Sequence, residues 1–280
     1  MPSGSVLVTG ASSGIGLQTA LHLHANGWRV FGGIRNPGRA EALAKAGVEV
    51  VPLDVTDEEQ TRAAVATVVR KCGAIDALVN NAGIQVRGYF EDVPEADVRA
   101  VFETNVFGVM RVTRAVLPFM REARRGRIVM VGSIGGRIGS LALTSYCASK
   151  FALEGFAESL ALEVAPLQIS VSLVAPAMVR TDIWGANRNV AKAAADPKSF
   201  YYAWFSESER LADRILKTAP TTPADVAEAV ARALTDTPPR LRYIVGRRAG
   251  WLLRARNLLP GEMFEKIYFR QVLRMVTKPR

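Results

Sequence analysis

A phenol and an ammonium stand four residues apart in this chain, at Tyr146 and Lys150. On a helix, residues i and i+4 lie on the same face, one turn apart. A free tyrosine titrates near pH ~10, too high to exchange protons readily at neutral pH. A neighbouring ammonium favours the phenolate and lowers that pKa, which is how a phenol becomes an acid–base catalyst. The pair alone proves little, because a half-buried ring beside a solvated cation has the same spacing, so its interpretation depends on the elements that position it.

Short apolar runs alternate with longer helix-like segments over the first two-thirds of the chain. We predict strands at residues 6–8, 29–34, 48–51, 77–79, 127–131 and 169–174, and helices at about 14–25, 38–46, 57–71, 95–122 and 144–165. Continuous apolar runs are typical of buried parallel strands, and the alternation indicates a doubly wound α/β sheet flanked by helices. After residue 175 the pattern loosens into a long connection, a helix near 223–234 and a last strand near 243–245.

The sequence therefore predicts one Rossmann-type domain over residues 1–240 and an extension over 241–280 that carries the last strand. At 280 residues, 49% of them hydrophobic, the chain is long enough for one large core. Two cysteines far apart and two histidines spaced by two predict neither a disulfide framework nor a metal site. We find no secretory signal pattern and no apolar run near the ~20 residues that span a bilayer, so we expect a cytoplasmic protein.

The net charge of +10 is concentrated at one end of the chain. Residues 240–280 carry eleven basic residues against Glu262 and Glu265, whereas residues 1–239 carry 25 basic and 24 acidic residues. Because the excess lies in an appendage without a recognised binding motif, we expect no nucleic-acid partner.

The first predicted strand runs into a glycine-rich turn and then a helix. Gly10, Gly14 and Gly16 allow a tight turn, close approach of the backbone to a phosphate and close helix–strand packing. The helix N-terminus offers unpaired N–H groups to a pyrophosphate, so this turn predicts a dinucleotide site. The second strand ends in Ile34 and Arg35 instead of the acid that usually binds the ribose 2′-OH of NAD. A guanidinium there suits a 2′-phosphate, which favours NADP(H) over NAD(H), although it is also what a solvated strand end would show.

Four motifs, in order and at family spacing, resemble those of the short-chain dehydrogenase/reductase family over residues 4–182. They are the TGxxxGxG turn at 9–16, NNAG at 80–83, an asparagine in the helix at Asn105, and YxxxK at 146–150 with Ser133 thirteen residues before the tyrosine. Residues 146–155 are similar to the branch that contains 17-beta-hydroxysteroid and retinol dehydrogenases.

The resemblance implies a catalytic tetrad of Asn105, Ser133, Tyr146 and Lys150. Tyr146 would protonate the carbonyl oxygen in reduction, and Ser133 would hydrogen-bond the same oxygen. Lys150 would lower the pKa of the tyrosine and bind the nicotinamide ribose, and Asn105 would hold a water in a proton relay. Hydride transfer needs this stabilisation of the oxygen and this positioning.

The resemblance also transfers cofactor contacts, one position at a time. Asp54 would contact the adenine, and a helix N-cap is the alternative. The family's usual Pro-Gly after the sixth strand is Pro176–Ala177 here. Because alanine is more restricted than glycine, the backbone conformation at this position need not be that of the family. Besides the tetrad's Tyr146 and Lys150, the expected cofactor-binding residues are Gly10, Ser12, Ser13, Gly14, Ile15, Arg35, Asp54, Val55, Asn81, Ala82, Gly83, Pro176, Val179 and Thr181, with Asn80 bracing the sheet.

The family builds its substrate lid from the connection at about 182–222. Five aromatic residues lie between Phe200 and Phe205. They predict either an apolar pocket wall or rings that pack the lid onto the domain. The resemblance implies a lipophilic substrate of steroid, retinoid or long-chain type, and a homodimer or homotetramer. The alternatives are a 3-oxoacyl-thioester reductase, whose acidic carrier the basic tail would attract, and a non-catalytic cofactor sensor, which would have no need of Tyr146 and Lys150.

The basic tail predicts an amphipathic helix. Its polar residues recur at i+4 steps from Glu262 to Arg274, and Phe264, Tyr268, Val272 and Met275 run alongside. Such a helix could lie peripherally on an anionic membrane, or its apolar side could pack on the protein itself or on a second copy.

Overall fold

The computed structural model describes residues 4–181, 184–185, 188–260 and 262–277. The expected lid therefore lies outside the described residues at 182–183 and 186–187, and the basic extension does so at 261 and 278–280. The start of the predicted domain, residues 1–3, lies outside them as well.

Seven parallel strands form one sheet in the order β3-β2-β1-β4-β5-β6-β7. The strands are β1 Ser5–Thr9, β2 Arg29–Ile34, β3 Glu49–Pro52, β4 Ala77–Asn80, β5 Gly126–Val131, β6 Ile169–Pro176 and β7 Arg242–Val245. The order reverses between β1 and β4, and ligands of open α/β sheets bind at such a switch point, beyond the carboxyl ends of the strands. The predicted doubly wound α/β fold is confirmed.

Ten α-helices lie among the described residues. They are α1 Gly14–Ala25, α2 Glu41–Lys45, α3 Glu58–Cys72, α4 Glu95–Phe102, α5 Val109–Ala123, α6 Thr144–Val164, α7 Tyr202–Lys217, α8 Pro223–Thr235, α9 Arg247–Leu258 and α10 Met263–Val276. Helix α7 lies in the connection for which the sequence predicted no helix, and α10 confirms the helix predicted in the tail.

The core is divided by the sheet into two layers. On β1, Val6 and Val8 pack in the layer that includes residues of α1 and α8. Leu7 points to the other layer, with residues of α3, α5 and α6. Both faces of each central strand are buried, which explains why these strands are continuous apolar runs in the sequence.

The long helix predicted over about 95–122 is interrupted. A π-helical turn, Glu103–Gly108, separates α4 from α5. Within it, Asn105 is fully buried and its side-chain amide bonds the backbone of Ile84, beyond the end of β4. This tertiary attachment accounts for the bulge, and π turns of this kind are frequent at functional sites.

Candidate active site

The turn between β1 and α1 has no space for a side chain at Gly10 or Gly16. Gly10 and Gly14 have φ angles of +65° and +54°. A Cβ on Gly16 would lie 2.2 Å from the carbonyl oxygen of Gly10. Ser13, the N-cap of α1, makes no side-chain capping bond, and the first turn of α1 contains no acidic residue. The chain therefore leaves a bare, positively polarised helix N-terminus, which fits a pyrophosphate.

Asn81 holds this turn in place. Its Nδ2 donates to the carbonyl oxygens of Thr9, at 3.0 Å, and Gly10, at 3.1 Å. Thr9 Oγ1 accepts from the backbone N–H groups of Asn81 and Ala82. Asn81 borders the expected nucleotide site, but its amide donates to the turn. Asn80 Nδ2 donates to Thr113 Oγ1 of α5, at 3.0 Å, so its amide joins β4 to a neighbouring helix.

One cavity of about 710 Å³ begins at this turn and extends along the carboxyl ends of the strands. All sixteen expected cofactor-binding residues line it. They are Gly10, Ser12, Ser13, Gly14, Ile15, Arg35, Asp54, Val55, Asn81, Ala82, Gly83, Tyr146, Lys150, Pro176, Val179 and Thr181. The space and its lining therefore fit an extended dinucleotide.

The end of the cavity beyond β2 and β3 carries two guanidinium groups. Arg35 and Arg39 both line it. The sequence analysis missed Arg39, which lies four residues after Arg35 in the segment that follows β2. Asp54 accepts from the backbone N–H and the hydroxyl of Thr56, at 2.9 and 2.8 Å. The cap of α3 is Asp57, which accepts from the N–H groups of Glu59 and Gln60, so the N-cap alternative for Asp54 is wrong.

Tyr146 and Lys150 lie one turn apart on α6, opposite Ser133, which follows β5. Ser133 interacts with Tyr146 through a side-chain hydrogen bond, and Ser133 Oγ also accepts from the N–H of Gly135, at 3.0 Å. Lys150 Nζ lies 5.7 Å from the centre of the Tyr146 ring and donates to the carbonyl oxygen of Val131, at 2.9 Å. Three of the four expected catalytic side chains therefore border the same cavity.

The proton affinities of this pair are set by burial. Burial raises the pKa of Tyr146 to about 12, against the lowering effect of the hydrogen bond with Ser133. Burial also lowers the pKa of Lys150 to about 8. The expectation that the lysine brings the tyrosine pKa toward neutrality is not met in this structure, because desolvation of the phenolate outweighs the favourable effects around it.

Asn105 does not line the cavity. Its Oδ1 accepts from the N–H of Ile84, at 2.8 Å, and its Nδ2 donates to the Ile84 carbonyl and to Ser149 Oγ. Ser149 Oγ in turn donates to the carbonyl oxygen of Tyr146, at 2.7 Å. The Asn105 side chain thus connects the loop after β4 to the first turns of α6.

The loop after β6 closes the cavity opposite α1. Ala177, in place of the family's usual glycine, is not among the residues with positive φ, and its N–H donates to the carbonyl of Val245, at 2.9 Å. The alanine is therefore compatible with the backbone at this position. Thr181 lies against the glycine turn, since a Cβ on Gly14 would be 3.5 Å from its side chain.

The far end of the cavity, beyond Tyr146, is lined by residues that the sequence analysis missed. Among them are Gln85, Ile138, Leu143, Trp184, Leu252 and Tyr268. Signals existed for two of them: Tyr268 was in the apolar pattern of the tail, and Trp184 is the first aromatic residue of the expected lid.

The aromatic cluster of the lid is not part of this wall. Tyr201 stacks on Tyr89 with ring centres 5.1 Å apart. Phe205 is buried in a separate small cluster with Val86 and Val101. Phe200 is largely exposed, and none of the five rings lines the large cavity. Packing of the lid onto the domain, the second of the two interpretations, is what the structure contains.

Known proteins are similar to this chain in sequence and in architecture. The family model for short chain dehydrogenase matches residues 5–191. A 3-ketodihydrosphingosine reductase of Bacteroides thetaiotaomicron is 36% identical, over 93% of this chain and 94% of its own. Human retinol dehydrogenase 8 is 36% identical over 85% of this chain and 80% of its own. Human 17-beta-hydroxysteroid dehydrogenase type 1 is 35% identical over 90% and 80%.

A solved short-chain dehydrogenase from Streptomyces avermitilis superposes with a TM-score of 0.79, at 34% identity, over 96% of this chain and 98% of its own. The resemblance in the motifs, including the hydroxysteroid and retinol dehydrogenase branch, is thereby confirmed. This chain therefore belongs to the short-chain dehydrogenase/reductase family and is an NAD(P)-dependent oxidoreductase of CH–OH groups.

Proposed function

We propose that this protein uses NADP(H) to interconvert a hydroxyl and a carbonyl group on a lipophilic substrate, with Tyr146 as the acid and base. One observation carries the proposal: Tyr146, Ser133 and Lys150 meet midway along a cavity that has a phosphate-accepting turn at one end and a mostly apolar wall at the other. A nicotinamide cofactor supplies or accepts the hydride in this chemistry.

Tyr146 is suited to donate a proton to a carbonyl oxygen as it becomes an alcohol. With a pKa of about 12, the phenol is neutral at physiological pH and carries its proton. Its hydrogen-bond partner Ser133 would hold the same oxygen and fix its distance from the phenol. In the oxidation direction the phenolate of Tyr146 would accept the proton of the alcohol, and the raised pKa keeps the phenolate fraction small at physiological pH.

Lys150 would return the proton to Tyr146 from solvent. Its pKa of about 8 lies near working pH, so this buried ammonium can lose and regain a proton readily. The Val131 carbonyl orients it, and it would also bind the cofactor ribose. Because the Asn105 amide is fully engaged, the relay water would bind the Asn105 backbone carbonyl in the π turn, where the helical bonding pattern changes.

The preference for NADP(H) rests on Arg35 and Arg39. Both guanidinium groups line the end of the cavity where an adenosine would lie, and a 2′-phosphate there would meet two cations. Neither takes part in an ion pair among the described residues, so each is free to bind the phosphate.

The substrate wall favours a neutral, lipophilic molecule. Among the described residues that line the cavity, the only cations are Arg35, Arg39 and Lys150, all on the cofactor or catalytic side. A carboxylate or phosphate on the substrate would find no cation in the lining near Trp184 and Leu252, because Arg87, which lies over the Trp184 ring, is paired with Glu209 and does not line the cavity. Relatives named for a hydroxysteroid, retinol and ketodihydrosphingosine agree with this lining.

A 3-oxoacyl-thioester reductase is the second candidate, because basic residues of α9 and α10 flank the cavity wall and would attract an acidic carrier. Loss of activity at high salt with carrier-bound substrates, but not with free ketones, would favour it.

The decisive experiment compares Tyr146→Phe with Tyr201→Phe, a matched change at a ring that does not line the cavity. NADPH oxidation is measured against carbonyl compounds graded by chain length and ring size, and NADPH binding by fluorescence. We expect Tyr146→Phe to bind NADPH normally and to lose turnover by at least a hundredfold, as general acid catalysis contributes ~10²–10⁴. Full activity in Tyr146→Phe would refute the assignment.

We further propose a cytoplasmic homodimer or homotetramer. Phe107, Phe151 and Leu162, on or beside the long helices α5 and α6, are exposed apolar residues. Sedimentation of Phe151→Asp should show smaller species than the wild-type protein if these helices form the interface.

A further inference from the structure

The two helices of the C-terminal extension have distinct inner and outer faces. On the inner side, Leu253 and Phe264 are buried in a small core with Ile138. Tyr268 stacks on Phe264 with ring centres 5.5 Å apart. The apolar side predicted from the sequence thus packs on the protein itself, and Leu252 and Tyr268 continue into the cavity wall.

The outer face of α9 mixes large apolar and cationic residues. Arg247, Trp251, Arg254 and Leu258 recur at helical spacing and share one side of the helix. Trp251 is 69% exposed and Leu258 is 83% exposed. The guanidinium of Arg254 lies 5.2 Å from the centre of the Trp251 ring.

The outer face of α10 has the same composition. Met263, Ile267 and Leu273 are each about half exposed, at 48%, 50% and 47%. The cations of Arg270 and Arg274 lie on the same side of the helix. Large apolar side chains grouped with cations on a free surface mark an interaction site.

The charges identify the partner of these two faces. Among the described residues, no carboxylate forms an ion pair with Arg247, Arg248, Arg254, Arg270 or Arg274. A second copy of the chain would bring the same cations against these in a two-fold interface, which is repulsive. Anionic lipid headgroups would pair with the cations, while tryptophan and aliphatic side chains enter the acyl boundary.

We infer that the outer faces of α9 and α10 dock this protein on the surface of an anionic lipid bilayer. No helix in the described ranges is long and apolar enough to cross a membrane. Leu252 and Tyr268 are on the same two helices and line the cavity, so docking would bring this wall of the cavity close to the membrane. This step rests on the lipophilic substrate proposed above. A substrate dissolved in the bilayer would then have a short path to Tyr146.

Flotation of the full-length protein with lipid vesicles tests the inference. Vesicles of phosphatidylcholine alone are compared with vesicles that also contain phosphatidylserine, for the wild-type protein, Arg270→Gln/Arg274→Gln and Trp251→Ala/Ile267→Ala. The matched controls are Arg70→Gln/Arg121→Gln, which removes two exposed cations elsewhere, and Phe200→Ala, which removes an exposed ring that is outside both α9 and α10. Circular dichroism establishes that each variant is folded.

We expect the wild-type protein and both controls to float with the anionic vesicles and to be released by salt. Each cation near an anionic surface contributes about fivefold in affinity, so Arg270→Gln/Arg274→Gln should bind about 30-fold more weakly. Trp251→Ala/Ile267→Ala should also lose most of its binding.

Other outcomes would overturn the inference. Equal flotation of every variant, or none by the wild-type protein, rules out this surface. If Trp251→Ala/Ile267→Ala changes the sedimentation coefficient and not flotation, the face binds a second copy. If that variant floats normally, Trp251 and Ile267 do not enter the bilayer, which contradicts the docking inferred for this face. Because flotation needs no substrate, loss of turnover with retained docking would refute only the proposed function.

Discussion

Replacing the buried ammonium of Lys150 by the thioether of methionine should change how the stability of this protein depends on pH. Burial lowers the pKa of Lys150 from its ordinary 10.5 to about 8. Its side chain is nearly inaccessible, at 5% exposure, so solvent screens this effect little. The folded state therefore binds the proton less tightly than the unfolded chain does.

The magnitude follows from that difference in proton affinity. Each tenfold difference corresponds to about 1.4 kcal/mol, so the protonated lysine destabilises the folded state by ~3 kcal/mol below pH 8. Between the folded pKa of about 8 and the unfolded value of 10.5, the unfolded chain binds more protons. The free energy of unfolding of the wild-type protein then rises with pH, and the destabilisation is relieved.

Lys150→Met lacks this contribution. The difference in the free energy of unfolding between Lys150→Met and the wild-type protein should therefore fall by about 2–3 kcal/mol between pH 7 and pH 10. At pH 7 the gain is partly offset, because the carbonyl of Val131 loses its donor at a cost of ~1–3 kcal/mol. The raised pKa of Tyr146 acts above pH 10 and is common to both proteins.

Thermal unfolding without cofactor, followed by circular dichroism from pH 7 to pH 10, measures this change. The difference in Tm should narrow by ~5–10 °C over that range. Lys45→Met is the control, since Lys45 is exposed and its variant should parallel the wild-type protein at every pH. Parallel curves for Lys150→Met as well would refute the reasoning that burial sets the charge of this lysine.

The remaining predictions concern the cofactor end and the π turn. Arg35→Ala and Arg39→Ala should each lower the ratio of kcat/KM for NADP to that for NAD by about tenfold or more, since a charged hydrogen bond is worth ~1.5–3 kcal/mol; an unchanged ratio would contradict the phosphate site. Gly16→Val should abolish cofactor binding in fluorescence titrations, because its side chain would occupy the position of the Gly10 carbonyl. Asn105→Ala should lower the free energy of unfolding by ~2–4 kcal/mol in urea titrations, because it leaves the Ile84 backbone groups and Ser149 without their buried partner. A loss below about 1 kcal/mol would mean that the π turn does not depend on this amide.

The sequence predicted what depends on local order along the chain. Strand β2 and helix α1 begin and end where the apolar runs and the glycine turn indicated. The strands of a doubly wound sheet bring their carboxyl ends together, so residues that follow different strands could be expected in one site. That expectation, for Gly10, Ser133 and Thr181 among others, agrees with the lining of the cavity.

What the sequence could not predict depends on partners far along the chain. The pKa of Tyr146 is raised because the phenol is buried on all sides. The i+4 spacing of Lys150 does not reveal this burial. The lid rings were ambiguous because the partner of Tyr201 is Tyr89, in a loop whose position only the fold determines. The π turn depends on the contact of Asn105 with Ile84, although local propensity favours an uninterrupted helix.

The C-terminal extension forms part of the cavity wall and carries the proposed docking face, and a simple truncation would remove both. Removing it would delete the docking face proposed for Trp251 and Ile267, but it would also remove Leu252 and Tyr268 from the cavity wall and Phe264 from its core. A truncated protein that loses activity is therefore compatible with either role. Outer-face substitutions leave the inner contacts intact, so they should weaken vesicle binding while turnover of a water-soluble ketone persists. Tyr268→Phe keeps the stacked ring and removes only the hydroxyl that bonds the Gly139 carbonyl, so it should alter KM for bulky ketones without changing flotation. Parallel loss of vesicle binding in Tyr268→Phe would mean that the two faces are not independent.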